Sequence, residues 1–209
     1  MAQQIPVGYF AKNIEPVGYH DLNGRPAFKL AMQEKKDRWY LYVAHLWHRG
    51  WSVIDVTDPA APEFCVYIPG PENTWTIQIQ VADDKMIAGL ERIAPGWGGA
   101  DGQPSAEGFY IFEVSEPTAP KRVGHFKTGS TGTHRNFYDG GNIVHAAAGA
   151  TGLSGKIYRS IDISHPGHPS EVGRFALPEQ EMGVDTKGLK FSFHRPAHIE
   201  ARARLSLLR

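Results

Sequence analysis

One phrase occurs three times along this chain, and this repetition restricts the possible fold more than any other feature. Each copy is a short β-branched strand that carries one acidic residue, followed by a proline and, three residues later, by a second proline. Successive acids lie 58 and 49 residues apart, a spacing that suits units of four strands of about six residues plus turns. The copies are Ser52–Pro62, Tyr110–Pro120 and Ser160–Pro169, with the acids Asp55, Glu113 and Asp162.

Each copy is expected to contain the last two strands of its unit. Proline has no backbone N–H, so the first proline of each phrase ends the pairing of the strand before it. The second proline leads into a short outer strand, and charged residues there protect an exposed sheet edge. We assign the three acids to structure, since every unit needs them. The predicted outer strands are Glu63–Ile68, Lys121–Lys127 and Ser170–Phe175.

Each unit is expected to open with a hairpin that has a turn rich in Asp or Gly and that supplies the inner strands. Such hairpins lie at 76–88 and 133–145, and a third begins at Phe193. No stretch of twelve or more residues before the C-terminus has helical periodicity. The predicted fold is all-β, a single β-propeller domain over 1–209 with about three and a half four-stranded blades. The blades are expected at 17–70, 71–128, 129–178 and, in part, 185–209.

The chain resembles LVIVD-repeat β-propeller proteins. The resemblance is carried by Asp-Val-Thr-Asp-Pro-Ala-Ala-Pro at 55–62, Thr-His-Arg-Asn at 133–136 and Phe-His-Arg-Pro at 193–196, and it covers residues 17–205. It implies the propeller fold and names no catalytic residue. Because a closed propeller needs four to eight blades, we expect a truncated member, or a ring completed by further chains as a homo-oligomer. A rival interpretation makes 197–208 a basic amphipathic helix.

Composition excludes several functional classes. Twenty-two basic residues balance twenty-two acidic ones, so no net charge recruits nucleic acid or an anionic membrane. No apolar run is long enough to span a membrane, and the first residues lack the layout of a signal peptide. The single cysteine, Cys65, fits a reducing compartment. We therefore expect a cytoplasmic protein with a small-molecule substrate and no nucleic-acid or membrane partner.

The candidate site follows from propeller geometry, in which the innermost strands line a central channel. His134-Arg135 and His194-Arg195 open equivalent inner strands, Ile77-Gln78 takes the same place in the second unit, and His20-Asp21 is aligned to it in the first. Convergent neutral imidazoles suit a divalent metal. Alternatively, one imidazole acts as a base while guanidinium groups hold an anion. The candidate catalytic residues are His134, Arg135, His194, Arg195 and Glu91, and the candidate metal ligands are His20, His134 and His194.

Structural explanations stand beside these functional ones. The repeated histidines are also consistent with bonds that set the geometry between blades, and Arg135 or Arg195 with an ion pair to Asp139 or Glu91. His45 and His48 are spaced to chelate a metal, but nothing completes a structural zinc site. The Gly-rich segment at 93–102 around Trp97 is either a lid or stacking surface or a spacer. After the segment at 146–156, Ile157 follows Gly155-Lys156 at the position where a phosphate loop requires Ser or Thr.

The leading functional hypothesis is a hydrolase of the lactonase type that acts on a small anionic compound, for instance a lactone from aromatic catabolism. The analogy is to propellers that open lactones with His, Arg and acidic side chains at the channel mouth. An imidazole or a metal-bound hydroxide would attack the carbonyl while Arg stabilises the oxyanion. Two alternatives remain open: a non-catalytic binding scaffold, and a redox protein with a His-ligated copper.

Overall fold

The protein is built almost entirely of antiparallel β-sheet. Its computed structural model describes residue 8, residues 12–196 and the backbone of residues 198–200 and 204–206. In that part, twelve strands form three four-stranded sheets and two further strands form a hairpin. The only helices among the described residues are single 3-10 turns at Pro95–Trp97 and Pro178–Gln180. No helix in these ranges is long and apolar enough to cross a membrane.

Within each sheet, the strands are neighbours in chain order. Sheet 1 contains β1 Lys29–Lys35, β2 Arg38–Ala44, β3 Trp51–Asp55 and β4 Glu63–Ile68. Sheet 2 contains β5 Thr74–Ala82, β6 Lys85–Arg92, β7 Gly108–Glu113 and β8 Lys121–Phe126. Sheet 3 contains β9 Thr133–Phe137, β10 Ile143–Ala148, β11 Ile157–Asp162 and β12 Ser170–Phe175. The hairpin contains β13 His198–Glu200 and β14 Arg204–Ser206.

The repeated acid shapes the turn after the third strand of every sheet. A carboxylate oxygen of Asp55 accepts a hydrogen bond from the N–H of Thr57, two residues later, at 2.9 Å. Glu113 and Asp162 accept the same bond from Ser115 and Ser164, at 2.8 and 2.7 Å. Such local bonds replace the ladder where the strand stops. The structural role predicted for the acids is confirmed, and so are the outer strands β4, β8 and β12.

The three sheets pack face to face in chain order. β1 contacts β5, and β5 and β6 contact β9, so the first strands of the sheets lie together. One apolar core fills the space between sheets 1 and 2, around Trp51 and Phe112. A second core fills the space between sheets 2 and 3, around Phe109 and Ile161. This arrangement is propeller-like.

The turn before β12 of sheet 3 fits against a glycine of sheet 2. A Cβ added to Gly124, on β8, would lie only 1.8 Å from the carbonyl oxygen of Pro166, in the turn of sheet 3. We therefore expect Gly124→Ala to lower the free energy of unfolding by about 1–3 kcal/mol, since overpacking forces the backbone apart. Chemical denaturation followed by tryptophan fluorescence measures the change.

Gly167 provides the matched control, because it lies in the turn that Gly124 contacts. A Cβ on Gly167 would come no closer than 3.8 Å to another atom, the carbonyl oxygen of Val123. Gly167→Ala should therefore leave the denaturation midpoint nearly unchanged. Equal effects of the two substitutions would show that the contact between Gly124 and Pro166 is not tight in solution.

The two ends of the described sheet array differ from each other. The rival helix over 197–208 is wrong, because the backbone forms strands at 198–200 and 204–206; the other residues of that segment lie outside the described residues. On sheet 1, Leu30 and Met32 are exposed on the face turned away from sheet 2. This face has no neighbouring sheet in the described part of the chain.

Candidate functional site

The candidate site lies where the second strand of sheet 2 ends and the first strand of sheet 3 begins. Glu91 is the penultimate residue of β6, and His134 is the second residue of β9. An isolated bridge between Glu91 and Gly132 brings these strand ends together. Packing between two sheets, rather than the chain between 91 and 134, therefore sets the distance between the carboxylate and the imidazole.

Glu91 binds two partners with its two carboxylate oxygens. The Nδ1 of His134 lies 2.8 Å from Oε2, and the Nζ of Lys156 lies 2.7 Å from Oε1. Lys156 also donates to the hydroxyl of Thr131 at 2.7 Å. With Nδ1–H donated to the carboxylate, the Nε2 of His134 carries a lone pair. The Nε2 atom has no protein hydrogen-bond partner among the described residues.

Glu91 is ionised in this environment. Its side chain is buried, and burial alone would raise the pKa of its carboxyl group. The hydrogen bond from His134 and the charge of Lys156 outweigh burial, so the pKa lies below its usual value. A buried carboxylate that stays charged fixes the orientation of the imidazole beside it.

The second predicted histidine lies beside the first. The ring centroids of His134 and His194 are 5.1 Å apart, with an interplanar angle of 42°. Burial, followed by the charges of Arg135 and His134, holds the pKa of His194 below its usual value. His194 is therefore predominantly neutral at pH 7. Both imidazoles line a cavity of about 250 Å³, here called the mouth cavity, together with Lys156, Ser192 and Phe193.

The two predicted arginines line a different, adjoining cavity. Arg135 and Arg195 are each next in sequence to a histidine of the mouth cavity. They line a cavity of about 170 Å³, here called the central cavity because the first strands of all three sheets contribute to it. Neither forms the ion pair with Glu91 or Asp139 that we considered, since Glu91 is taken by His134 and Lys156. The other lining residues of the central cavity are Lys29, Gln78, Gln80, Asn136, Phe137 and Pro196.

The alignment of His20 with His134 is wrong. Counted from the repeat acids, the pairing register places Phe28 and Lys29 of sheet 1 where sheet 3 has His134 and Arg135. His20 instead stacks on Phe64 of the outer strand β4, with ring centroids 5.9 Å apart, and its Nδ1 accepts the N–H of Leu22. The histidine was misaligned because nothing in the sequence of sheet 1 marks the start of its inner strand.

The three-histidine arrangement is therefore not formed by His20, His134 and His194. In the described residues, no group of three or more His, Cys, Asp or Glu side chains is placed to hold a metal ion. His45, one of the spaced pair with His48, is buried and bonds the carbonyl of Pro26 at 2.9 Å and the hydroxyl of Ser52 at 2.7 Å.

Sequence reasoning missed two cationic residues of the site. Lys156 is the last residue of the small-residue loop at 146–156, which we interpreted only in relation to phosphate loops, and its ammonium reaches Glu91. Lys29 opens an inner strand that carries no His-Arg pair. The sequence contains one signal that locates Lys29, the turn at Lys36-Asp37. Aligning this turn with the first hairpin turns of the other units, instead of aligning His20 with His134, gives the correct position of the strand.

Three tryptophans also meet at this end of the sheets. Trp47 stacks on Trp97 at 6.2 Å and meets the edge of Trp75 at 5.9 Å. Trp75 is paired with Glu91 across β5 and β6, so the cluster lies next to the candidate site. Trp47 and Trp97 are more than half exposed. Of the two interpretations of the segment at 93–102, this placement favours a stacking surface over a spacer.

Comparison with known proteins identifies the repeat. The family model described as the LVIVD repeat matches residues 39–66 and 160–176. These matches cover most of β2–β4 in sheet 1, and half of β11 and all of β12 in sheet 3. No curated protein matches the chain.

Proposed function

We propose, from the two stretches of this chain that match the LVIVD repeat and from the site described above, that it is a hydrolase of lactones or related small esters. We further propose that its four-stranded sheets are blades of a β-propeller, with about three and a half blades in this chain. The observation that carries the proposal is the 2.8 Å contact between the buried carboxylate of Glu91 and the Nδ1 of His134. A carboxylate that orients an imidazole is the usual activating pair of a general base.

The mouth cavity provides the groups that ester hydrolysis needs. The free Nε2 of His134 accepts a proton from water, whose oxygen attacks the carbonyl carbon of the lactone. The negative charge that develops on the carbonyl oxygen lies beside the ammonium of Lys156, which lines the same cavity. Cationic donors aimed at a developing oxyanion contribute strongly where water is excluded.

The protonated His134 then completes the reaction. The tetrahedral intermediate re-forms its carbonyl and breaks the bond to the ring oxygen, and the imidazolium gives its proton to that leaving oxygen. The product is a hydroxy acid, which contains the atoms of one lactone and one water. Glu91 remains ionised throughout, since its lowered pKa disfavours protonation. The low pKa of His194 keeps this neighbour neutral, so it does not repel the imidazolium.

The test is hydrolysis of a panel of γ- and δ-lactones, with and without a carboxylate substituent, followed by proton release at constant pH. We expect turnover by the wild-type protein and a loss of about 10²–10⁴-fold in kcat/KM for His134→Gln, which removes the base. The glutamine amide keeps a donor for Glu91, so the fold is expected to survive; circular dichroism checks this.

His168→Gln is the matched control, since His168 is exposed in the turn before β12. It should hydrolyse every lactone at the wild-type rate. No turnover of any lactone by the wild-type protein, or equal rates for the wild-type protein and a folded His134→Gln variant, would contradict the proposed hydrolase.

A non-catalytic binding scaffold is the second candidate, and the tryptophan cluster favours it. Trp47 and Trp97 expose stacked rings beside the site, and exposed aromatic faces are common at binding surfaces. A scaffold would retain ligand binding with no turnover of any lactone. Substitution Trp97→Ala would then weaken binding while His134→Gln would not.

A further inference from the structure

In each of the three sheets, the residue at one equivalent position of the first strand lines the central cavity. Each repeat acid is paired with a residue of the second strand, namely Tyr40, Lys85 or Ile143. Four residues further along the second strand, the paired residue of the first strand is Lys29, Gln78 or Arg135. These three side chains therefore occupy equivalent places in successive repeats, and all three line the central cavity.

The central cavity carries three positive charges and no negative one. Lys29, Arg135 and Arg195 are among its lining residues, and the others are amide, apolar or aromatic. No salt bridge to any of the three exists among the described residues, although Lys156 and Arg159 are each paired with a carboxylate. Like charges brought together without counter-charges repel one another, so the cavity is suited to an anion.

Two buried side-chain atoms in this cavity also lack protein partners. They are the Nε of Arg135 and the Oδ1 of Asn136, and neither makes a hydrogen bond in the described part of the chain. Buried polar atoms without partners are rare in native structures, because leaving them unpaired costs free energy. Both residues line the cavity, and the Nε–H of Arg135 is available to an anion there.

We propose that the central cavity binds a small compound with two or more carboxylates. The guanidinium of Arg135 presents a planar fork that matches the geometry of a carboxylate, and Lys29 and Arg195 add charges for a second acid group. The cavity volume of about 170 Å³ exceeds the roughly 150 Å³ that holds one benzene. A chain of three to five carbons bearing carboxylates is of this size. That this acid is part of a lactone substrate rests on the proposed function above.

The experiment is isothermal titration of the full chain with tricarballylate, a tricarboxylate without other functional groups. Butyrate and inorganic phosphate are titrated in parallel at matched ionic strength. We expect tricarballylate to bind more tightly than either comparison anion, and to bind more weakly as sodium chloride is raised. Arg135→Gln and Lys29→Gln should each raise the dissociation constant at least about tenfold, the loss expected for a hydrogen bond between charged groups.

Lys190→Gln is the control for the change in net charge. Lys190 is exposed in the segment before β13 and does not line the cavity, so this variant should bind tricarballylate with the wild-type affinity. The Nε of Arg135 has no hydrogen-bond partner to lose in the described part of the chain, so Arg135→Gln is expected to fold with an unchanged or raised melting temperature.

Three outcomes would overturn the proposal. The first is that tricarballylate gives no heat of binding. The second is that Arg135→Gln and the wild-type protein bind tricarballylate with equal affinity. The third is that phosphate binds more tightly than tricarballylate. Titration of His134→Gln separates this proposal from the proposed hydrolase. Carboxylate binding by a protein without lactone turnover would remove the hydrolase and retain the anion site, whereas lactone turnover without carboxylate binding would do the reverse.

Discussion

Replacement of Trp51 by alanine is expected to lower the free energy of unfolding by about 3–5 kcal/mol, the cost of removing a buried aromatic side chain. Trp51 is 1 % exposed in β3 of sheet 1. Its ring contacts Phe112 and Tyr110 of sheet 2, at centroid distances of 5.4 and 6.2 Å. The substitution therefore opens a cavity between two sheets rather than within one. Urea denaturation monitored by circular dichroism measures the loss.

Trp39→Ala is the matched control. Trp39 lies in β2 of the same sheet but is 44 % exposed. Surface substitutions usually change the free energy of unfolding by less than about 0.5 kcal/mol. If Trp51→Ala lowered the free energy of unfolding as little as Trp39→Ala, the association of sheets 1 and 2 would not depend on the contact of Trp51 with Phe112 and Tyr110. The packing described for the first core would then be wrong.

Replacement of Arg159 by leucine should be nearly as damaging, with a loss of about 3–5 kcal/mol, because a buried ion pair is broken on one side only. Arg159 is 4 % exposed and pairs with Glu171 of β12. Its Nη1 also donates to the carbonyls of Thr128 and Gly149, at 3.0 and 2.7 Å. Leucine would leave those oxygens and the carboxylate without donors. Thermal and chemical denaturation both measure the change.

Arg174 offers an unusually close control, since it binds the other carboxylate oxygen of the same Glu171. Its side chain is 53 % exposed, and exposed ion pairs contribute about 0–1 kcal/mol. Arg174→Leu should therefore cost far less than Arg159→Leu. Comparable losses would indicate that the free energy resides in Glu171 itself rather than in the bonds of Arg159 to the two carbonyls.

Most of the fold could be predicted because it is repeated. The strand that ends in an acid and a proline occurs three times, so β3, β7 and β11 and the outer strands after them were recognisable from residue types alone. The inner strand of sheet 1 was not. Lys29–Lys35 is an edge strand that alternates exposed and half-buried residues, and its exposed Leu30 and Met32 do not distinguish it from a loop.

The candidate site was only partly predictable, for a related reason. His134-Arg135 and His194-Arg195 were found because two units share the same pair of residues, and the structure places the histidines side by side. The contact between Glu91 and His134 depends on how two sheets pack, and sequence spacing contains no such distance. Lys156 and the tryptophan cluster are brought in by loops, which follow no period.

The separation between the two faces of each inner strand has an evolutionary consequence. Side chains that line the central cavity, such as Gln78 and Arg135, contribute little to the apolar layers that join neighbouring sheets. Exchanges among Lys, Arg and Gln at this one recurring strand position would change the charge offered to a bound compound while leaving the architecture intact. Descendants of such a chain are then free to switch ligands one residue at a time, with little penalty in stability.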